Sequence, residues 1–207
     1  MESLYDIVSQ CHVDAHTEIE MRLGRITPQG NFVTNIEELE FEIILDSLKK
    51  YQGWAKVEES VCDIFSSGDV RLEEDHQTGE RKCVIKNRMA NIDIGVPGVD
   101  FDARLSLSSE VPTEYIPKSF RNQFEKKRIS FTRKNVRIDM TTKRSADVDD
   151  EVGVQRQIEV ELLNPTDFSK PEFVNYTFKI LDLINCRSPV DVQKLYDESS
   201  IVKNAYY

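Results

Sequence analysis

The sequence is poor in the features that mark metal–thiolate, secreted or membrane proteins. Its four cysteines are widely spread and form no Cys-x-x-Cys motif; they are Cys11, Cys62, Cys83 and Cys186. A zinc site is therefore weakly supported, and we expect reduced thiols. The chain has no N-terminal apolar run typical of a signal peptide and no stretch of about 18 apolar residues. We therefore expect a soluble, intracellular protein without a membrane segment.

Basic residues are too few to balance the acidic ones. The chain has 27 Lys and Arg against 37 Asp and Glu, a formal net charge of −10. Because general nucleic-acid binding is driven by basic surface, this balance argues against a nonspecific nucleic-acid coat. It leaves room for a nucleic-acid end or a nucleotide in a local basic site. Charged residues make up 31% of the chain, above the usual quarter, which indicates charge placed beyond ordinary solvated surface.

Alternation of polar and apolar residues predicts that strands dominate the chain. The predicted strands are 15–26, 54–66, 69–75, 80–87, 90–95, 99–111, 126–134, 135–144 and 153–163. Gly79 and the pair Pro97-Gly98 mark tight connections, and 146–152 is an acidic loop. The chain has no repeat or low-complexity tract. Length and element order favour a single α+β domain over 1–207.

Helix signals occur near both ends of the chain. Residues 2–11 predict a short helix, and a Thr34-x-x-Glu37 capping box predicts a second helix over 35–51. A second capping box, Ser169-x-x-Glu172, opens an amphipathic helix, and Ser188-Pro189 predicts a last short one. These helices have apolar faces that require a sheet to pack on.

Charges of both signs concentrate on one face of several predicted strands. In 99–111, Asp102, Arg104 and Glu110 share a face, while Phe101 and Leu105 lie on the other. One interpretation is an antiparallel sheet with its polar face in water. Alternatively, the apolar faces lie under the helices and the charged faces point into a closed barrel that holds a small polar ligand. Such an interior suits a polyanion together with a cation.

The most informative motifs are two Glu-x-Glu sequences, Glu18-Ile19-Glu20 and Glu159-Val160-Glu161. In a strand, residues i and i+2 point to the same face, so each motif presents two carboxylates side by side. Two such strands placed together would gather four carboxylates, which repel one another unless a positive charge neutralises them. A hard divalent cation with oxygen ligands is the natural candidate.

These motifs resemble the triphosphate tunnel metalloenzyme family. Thr17 to Gly24 resembles its first metal-binding strand, and Gln157 to Leu162 its last. Lys127-Arg128-Ile129-Ser130-Phe131 and Arg137-Ile138-Asp139-Met140-Thr141 are similar to paired strands of the RNA triphosphatase branch from fungi and large DNA viruses. The resemblance covers about 14–163. It implies an eight-stranded antiparallel β-barrel, called a tunnel, and metal-dependent release of the γ-phosphate from triphosphate-ended RNA in mRNA capping.

The resemblance also implies roles for particular residues. Glu18, Glu20 and Glu161 would bind Mg²⁺ or Mn²⁺, and Glu159 would hold the attacking water. Glu110 and Asp139 would orient water or brace basic residues. Lys86 and Arg128 would act in catalysis as well as in binding. The phosphate contacts would come from Arg22, Arg71, Lys86, Arg104, Lys126, Arg128 and Arg137.

The implied partners are the 5′-triphosphate end of RNA, nucleoside triphosphates and a guanylyltransferase domain or subunit. The chain would then be part of a longer capping enzyme, acting in a host's cytoplasm or nucleus if it is viral. Two residues depart from the family pattern: Gln157 stands where some relatives have a third acid, and Arg22 where many have Lys.

Three alternative functions remain open at the level of sequence. An inorganic tripolyphosphatase or nucleoside triphosphatase would use the same residues. An adenylyl cyclase of the related cyclase–thiamine-triphosphatase branch would release pyrophosphate. A non-catalytic polyphosphate-binding module is the third, although it would not need carboxylates concentrated near a polyanion.

Overall fold

The computed structural model describes residues 4–145 and 153–187, in which nine strands and three helices are found. Eight strands form a closed antiparallel barrel in the order β1-β6-β5-β4-β3-β7-β8-β9, and β1 pairs with β9 to close it. The strands are β1 (Thr17–Ile26), β2 (Phe32–Val33), β3 (Lys56–Ser67), β4 (Val70–Asp75), β5 (Arg81–Ile94), β6 (Asp102–Pro112), β7 (Asn122–Arg133), β8 (Val136–Ser145) and β9 (Val154–Leu162). The α+β class and the eight-stranded barrel are therefore confirmed.

Two details of the strand prediction are wrong. The predicted strands 80–87 and 90–95 are one continuous strand, β5, interrupted by a bulge between Arg88 and Ala90. The extra residue of the bulge, Met89, breaks the two-residue alternation, and this break in the sequence resembled a turn. The short strand β2 was not predicted; it adds two residue pairs to the end of β1 outside the barrel.

Three helices flank the barrel: α1 (Leu4–Gln10), α2 (Glu38–Lys50) and α3 (Lys170–Arg187). The buried positions of α2 include Phe41, Ile44 and Leu48, at the spacing of one helical face. The core joins α2 and α3 to the outward apolar residues of the strands, such as Ile19 and Val160. The apolar strand faces thus lie under the helices, and the charged faces point into the barrel.

One predicted capping box is confirmed and the other is wrong. Ser169 Oγ donates to Glu172 at 2.7 Å and accepts from the Glu172 amide at 3.4 Å, at the start of α3. Thr34 instead accepts a hydrogen bond from Gln157, because residues 34–36 run along β9 before α2 begins. The N-cap of α2 is Glu37, without a side-chain cap bond. The helix predicted from Ser188 and the acidic loop 146–152 lie outside the described residues.

The four cysteines are free thiols, as expected. Cys62 is buried, and its thiol hydrogen-bonds Glu73 at 3.0 Å. Within 4–145 and 153–187, no helix is both long and apolar enough to cross a membrane.

Candidate active site

The barrel gathers the residues selected from the sequence on its inner wall. Ion pairs connect most of them into two networks. One contains Glu18, Arg71, Lys86 and Glu110. The other contains Glu20, Arg22, Arg128, Arg137, Asp139, Glu159 and Glu161. Arg104 and Lys126 belong to neither network, because Arg104 pairs with Asp93 and Lys126 pairs with Glu73.

The two Glu-x-Glu motifs meet where β1 and β9 close the barrel. Glu20 is directly opposite Glu161, and Arg22 is directly opposite Glu159. Directly opposite residues of an antiparallel pair have Cβ atoms only about 5 Å apart. Glu18 lies one step along the same face of β1, opposite Ser108 of β6, whose hydroxyl donates to it at 3.0 Å. The sequence motifs therefore place carboxylates side by side, as their spacing predicts.

Two of these carboxylates hold their protons unusually tightly. Burial, followed by the nearby negative charge of Glu159, raises the pKa of Glu20 to about 8. Burial also raises the pKa of Glu161 to about 7, although Arg137 opposes the shift. Glu20 keeps this high pKa despite its 2.6 Å ion pair with Arg22, so the positive charge nearby does not compensate for its burial. The nearby positive charges therefore do not fully neutralise the carboxylates at the β1–β9 seam.

Glu159 behaves in the opposite way. Burial opposes its ionisation, but the charges of Arg22 and Arg128 outweigh burial and lower its pKa to about 2. Its two oxygens lie 3.0 Å from Arg22 Nε and 3.3 Å from Arg128. The Arg22 Nε contact is an ion pair without hydrogen-bond alignment. Glu159 is therefore a fixed anion at any pH near neutrality.

Asp139 braces the arginines of β7 and β8. It is only 2% exposed, pairs with Arg128 at 3.0 Å and Arg137 at 3.1 Å, and accepts a 2.6 Å hydrogen bond from Ser130. Arg137 also pairs with Glu161, and Thr141 accepts from Arg128 Nε at 3.1 Å. Of the two roles considered for Asp139, these contacts favour bracing over contact with water.

Glu110 occupies the equivalent position on the other side of the barrel. It pairs with Arg71 at 2.6 Å and with Lys86 at 2.9 Å, and Lys86 also pairs with Glu18. Burial opposes ionisation of Glu110, but Arg71 and Lys86 lower its pKa. The carboxylates Glu18, Glu20 and Glu110 raise the pKa of Lys86 against its burial. This network keeps two cations oriented toward the interior.

A cavity of about 440 Å³ opens between these networks. Its lining includes Glu20, Arg22, Arg71, Lys86, Arg88 and Arg104. Arg104 is held at its rim by Asp93 at 2.5 Å and by the Phe32 ring of β2, 4.7 Å from the guanidinium carbon. The charged residues of its lining are five basic side chains and two acids, Glu20 and Asp69, and this excess of positive charge suits a polyanion.

The structure adds several residues that the sequence reasoning missed. Lys143 continues the inward face of β8, and its Nζ donates to Gln157 at 2.7 Å; burial lowers its pKa to about 8. Glu73 pairs with Lys126 and lies on the same strand face as Arg71. Both were recoverable from the two-residue alternation. Arg88 was recoverable too, because it lies two residues from Lys86 and precedes the bulge; Asn91 was not, because the bulge in β5 shifts it onto the inward face.

The inward carboxylates fit a hard divalent cation by their chemistry. Glu18, Glu20 and Glu161 supply oxygen ligands from adjacent strands, and the raised pKa values of two of them show a local deficit of positive charge. Among the described residues, no three His, Cys, Asp or Glu side chains are already grouped for a metal ion. The three glutamates contact Lys86, Arg22 and Arg137 instead.

Comparison with known proteins places this geometry in a family. Residues 56–205 match the family described as mRNA capping enzyme, beta chain. The chain belongs to this family. The resemblance to triphosphate tunnel RNA triphosphatases stated from the motifs is thereby confirmed.

One relative, a capping enzyme subunit from a fungus, shows the extent of the sequence similarity. The mRNA-capping enzyme subunit beta of Cryptococcus neoformans is 25% identical over 169 residues, covering 72% of this chain and 43% of that protein. The chain thus spans less than half the length of this curated relative.

Two solved structures have the same fold. The S. pombe Pct1 RNA triphosphatase aligns with a TM-score of 0.63 and 21% identity, covering 93% of this chain and 86% of that one. The RNA triphosphatase domain of a mimivirus mRNA capping enzyme aligns with a TM-score of 0.60 and 18% identity, covering 87% and 94%. At these identities the structural matches establish the barrel fold, and the roles of individual residues rest on the geometry above.

Proposed function

We propose that this barrel is a divalent-metal-dependent RNA 5′-triphosphatase that removes the γ-phosphate from triphosphate-ended RNA in the first step of mRNA capping. Nucleoside triphosphates would be accepted at the same site. The observation that carries the proposal is the facing pair Glu20 and Glu161, deficient in positive charge, beside a cavity lined with arginine and lysine. Family membership and the fold of two RNA triphosphatases support it.

The carboxylates of Glu18, Glu20 and Glu161 would hold Mg²⁺ or Mn²⁺. The cation would supply Lewis-acid polarisation of a phosphoryl oxygen. Glu20 and Glu161 must give up their protons when it binds, so binding is favoured as pH rises through their raised pKa values. Arg137 and Lys86, which pair with Glu161 and Glu18 in the metal-free protein, would then be available to phosphate.

Phosphoryl transfer requires stabilisation of charge that spreads over the transferring oxygens. Arg128 and Lys86 face the interior from opposite sides of the barrel, each held by carboxylates. Because their orientation is fixed before substrate arrives, little reorganisation is needed as charge develops. Arg22, Arg71, Arg104, Lys126 and Arg137 would contact the remaining phosphate oxygens.

Glu159 would orient the attacking water. A general base is most effective when its pKa is near the working pH, and a pKa near 2 makes Glu159 a weak proton acceptor. It remains a hydrogen-bond acceptor held between Arg22 and Arg128. We therefore assign it a positioning task, which its rigid surroundings suit.

The relative from Cryptococcus neoformans is named as the beta subunit of an mRNA-capping enzyme, and removal of the γ-phosphate would leave a diphosphate RNA end for a further capping step. We propose that this barrel works with a guanylyltransferase, either as a separate subunit or as another domain of the same protein.

Product analysis with several substrates tests the proposal. Purified protein would be incubated with γ-labelled triphosphate-ended RNA, nucleoside triphosphate or inorganic tripolyphosphate, with and without Mg²⁺ or Mn²⁺. Metal-dependent release of orthophosphate from RNA supports the proposal. Release from tripolyphosphate or nucleotide but not RNA would favour the tripolyphosphatase or nucleoside triphosphatase. Pyrophosphate as the product would favour a cyclase, and no release from any substrate would leave a polyphosphate-binding module.

A further inference from the structure

Helix α3 contacts the barrel at the seam between β1 and β9. Tyr176 on this helix is fully buried, and its hydroxyl reaches the backbone of both strands. The hydroxyl donates to the Val160 carbonyl oxygen at 3.0 Å and lies 3.3 Å from that of Ile19, toward which it also points. One side chain outside the barrel therefore joins the two strands that close it.

The two carbonyls belong to the central residues of the two Glu-x-Glu motifs. Ile19 and Val160 point outward into the core, so the glutamates on either side of each point inward. The Tyr176 hydroxyl thus lies directly behind the carboxylate cluster, on the other side of the same backbone. Any shift of one strand along the other would move this hydroxyl away from one of its partners.

The seam has little backbone pairing of its own. The β1–β9 ladder contains four residue pairs, Ile19–Arg22 with Leu162–Glu159. On its other side, β1 has eight pairs with β6, and β9 has nine with β8. Three of the four motif glutamates, Glu20, Glu159 and Glu161, therefore lie in the shortest ladder of the barrel, where an additional cross-strand contact has the most effect on alignment.

We propose that Tyr176 is a positioning residue that aligns the two Glu-x-Glu motifs and thereby sets the arrangement of the metal-binding carboxylates. The inference rests on the proposed metal site. The Tyr176 hydroxyl acts through the strand backbone, in the same way that hydrogen bonds to the ligands of a metal site orient those ligands. Helix α3 would then be part of the active-site framework, and its ring packing with Phe173 would fix the direction of the hydroxyl.

The test compares Y176F with wild type by direct titration of the substrate-free protein with Mn²⁺, with free Mn²⁺ measured by electron paramagnetic resonance. Phenylalanine keeps the buried ring and removes only the hydroxyl. We expect the Mn²⁺ affinity of Y176F to fall by about tenfold or more, the range seen for partners behind metal ligands. At saturating Mn²⁺, KM for triphosphate-ended RNA should remain near the wild-type value.

I180V is the matched control. Ile180 is another buried residue of α3, 2% exposed, and among the described residues its side chain makes no polar contact with the seam. Loss of one methyl group loosens helix packing without changing hydrogen bonds, so Tm should fall while Mn²⁺ affinity stays at the wild-type value. Circular dichroism would verify that both variants are folded.

The outcomes separate two failures. Equal Mn²⁺ affinity in Y176F and wild type would overturn the positioning role, and an equal loss in Y176F and I180V would overturn it in favour of general loosening. If the wild type itself bound no Mn²⁺, the proposed metal site would fail, and the role of Tyr176 with it.

Discussion

Glu20 on β1 and Glu161 on β9 are directly opposite each other across the seam that closes the barrel, and both have raised pKa values. A buried acid facing a partly buried one is stable only while protons or a cation offset their charge. The two residues are 141 positions apart in the sequence, and closure of the barrel makes them direct partners in one β-ladder.

The metal-free protein should lose stability as pH rises from about 5 to about 8. The folded-state pKa values of Glu20 and Glu161 lie above their unfolded values, so folding favours the protonated forms and stability falls as the unfolded chain ionises. In the same window, Glu159 and Glu73 are ionised in both states and contribute no slope. Adding Mn²⁺ at pH 8 should reverse the loss, as thermal unfolding would show.

Glu20→Gln provides the corresponding variant test. An amide carries no charge, so the variant should be more stable than wild type at pH 8 without metal, by at least about 1 kcal/mol. The difference should shrink toward pH 5, where wild-type Glu20 is protonated. Glu42→Gln, on the exposed face of α2, should leave the pH profile unchanged. A wild-type Tm that is flat or rising between pH 5 and pH 8 would contradict the shifted pKa values.

Asp139→Asn should be among the most destabilising polar substitutions in the barrel. It removes the shared negative partner of Arg128 and Arg137 at a position that is only 2% exposed, and breaking a buried ion pair on one side costs about 3–5 kcal/mol. Urea unfolding would measure the loss. Asp93→Asn breaks the more exposed pair with Arg104 and should cost about 1 kcal/mol or less. Equal effects of the two substitutions would show that Asp139 does not brace the arginines.

Lys143 should make substrate binding depend on pH. Burial lowers its pKa to about 8, so it carries a charge at pH 7 and loses most of it by about pH 9. We expect KM for triphosphate-ended RNA to rise across that range in wild type. Lys143→Met should raise KM at pH 7 by about tenfold and flatten the profile, since about 1.4 kcal/mol of phosphate attraction corresponds to that factor. An unchanged KM profile in this variant would exclude Lys143 from the substrate path.

Arg88 should contribute more to the binding of triphosphate-ended RNA than to the binding of free nucleotide. It lines the cavity, and no ion pair to a carboxylate is found for it within the described chain. With the Asn91 amide oriented so that both of its polar atoms are satisfied, its oxygen accepts from Arg88 Nε at 3.3 Å and its nitrogen donates to Ser106 Oγ at 3.0 Å. Arg88→Ala should therefore raise KM for RNA by about tenfold, as loss of a charge-assisted phosphate contact implies, and raise KM for ATP less. Equal increases for the two substrates would place Arg88 at the triphosphate itself.

Period-two patterning predicted most of the inner wall. Because the strands are long and antiparallel, residues two apart share a face, and the charged faces of β1, β7, β8 and β9 could be identified without coordinates. The same rule would have included Lys143 and Glu73 had the faces been followed to their ends. It fails in β5 beyond Arg88, where Met89 inserts one residue and shifts Asn91 and Asp93 onto the face of Lys86 and Arg88.

Other features depend on tertiary contacts that local patterns do not encode. Thr34 and Glu37 satisfy the spacing of a capping box, yet Thr34 hydrogen-bonds Gln157 because the chain follows β9 at that point. Tyr176 looks like an ordinary core residue of an amphipathic helix. Its hydroxyl partners, Ile19 and Val160, are backbone groups of remote strands, so only the fold reveals the contact.

The most direct test of the central claim is single-turnover release of γ-phosphate from triphosphate-ended RNA as a function of Mn²⁺, for wild type and Glu20→Gln. The account predicts that wild-type release requires Mn²⁺, and that the variant is slower by a factor on the order of 10²–10⁴ because a metal carboxylate is worth several kcal/mol. Glu42→Gln should match wild type. Release without any divalent cation, or full activity of Glu20→Gln, would contradict the assignment of the β1–β9 carboxylates to the metal.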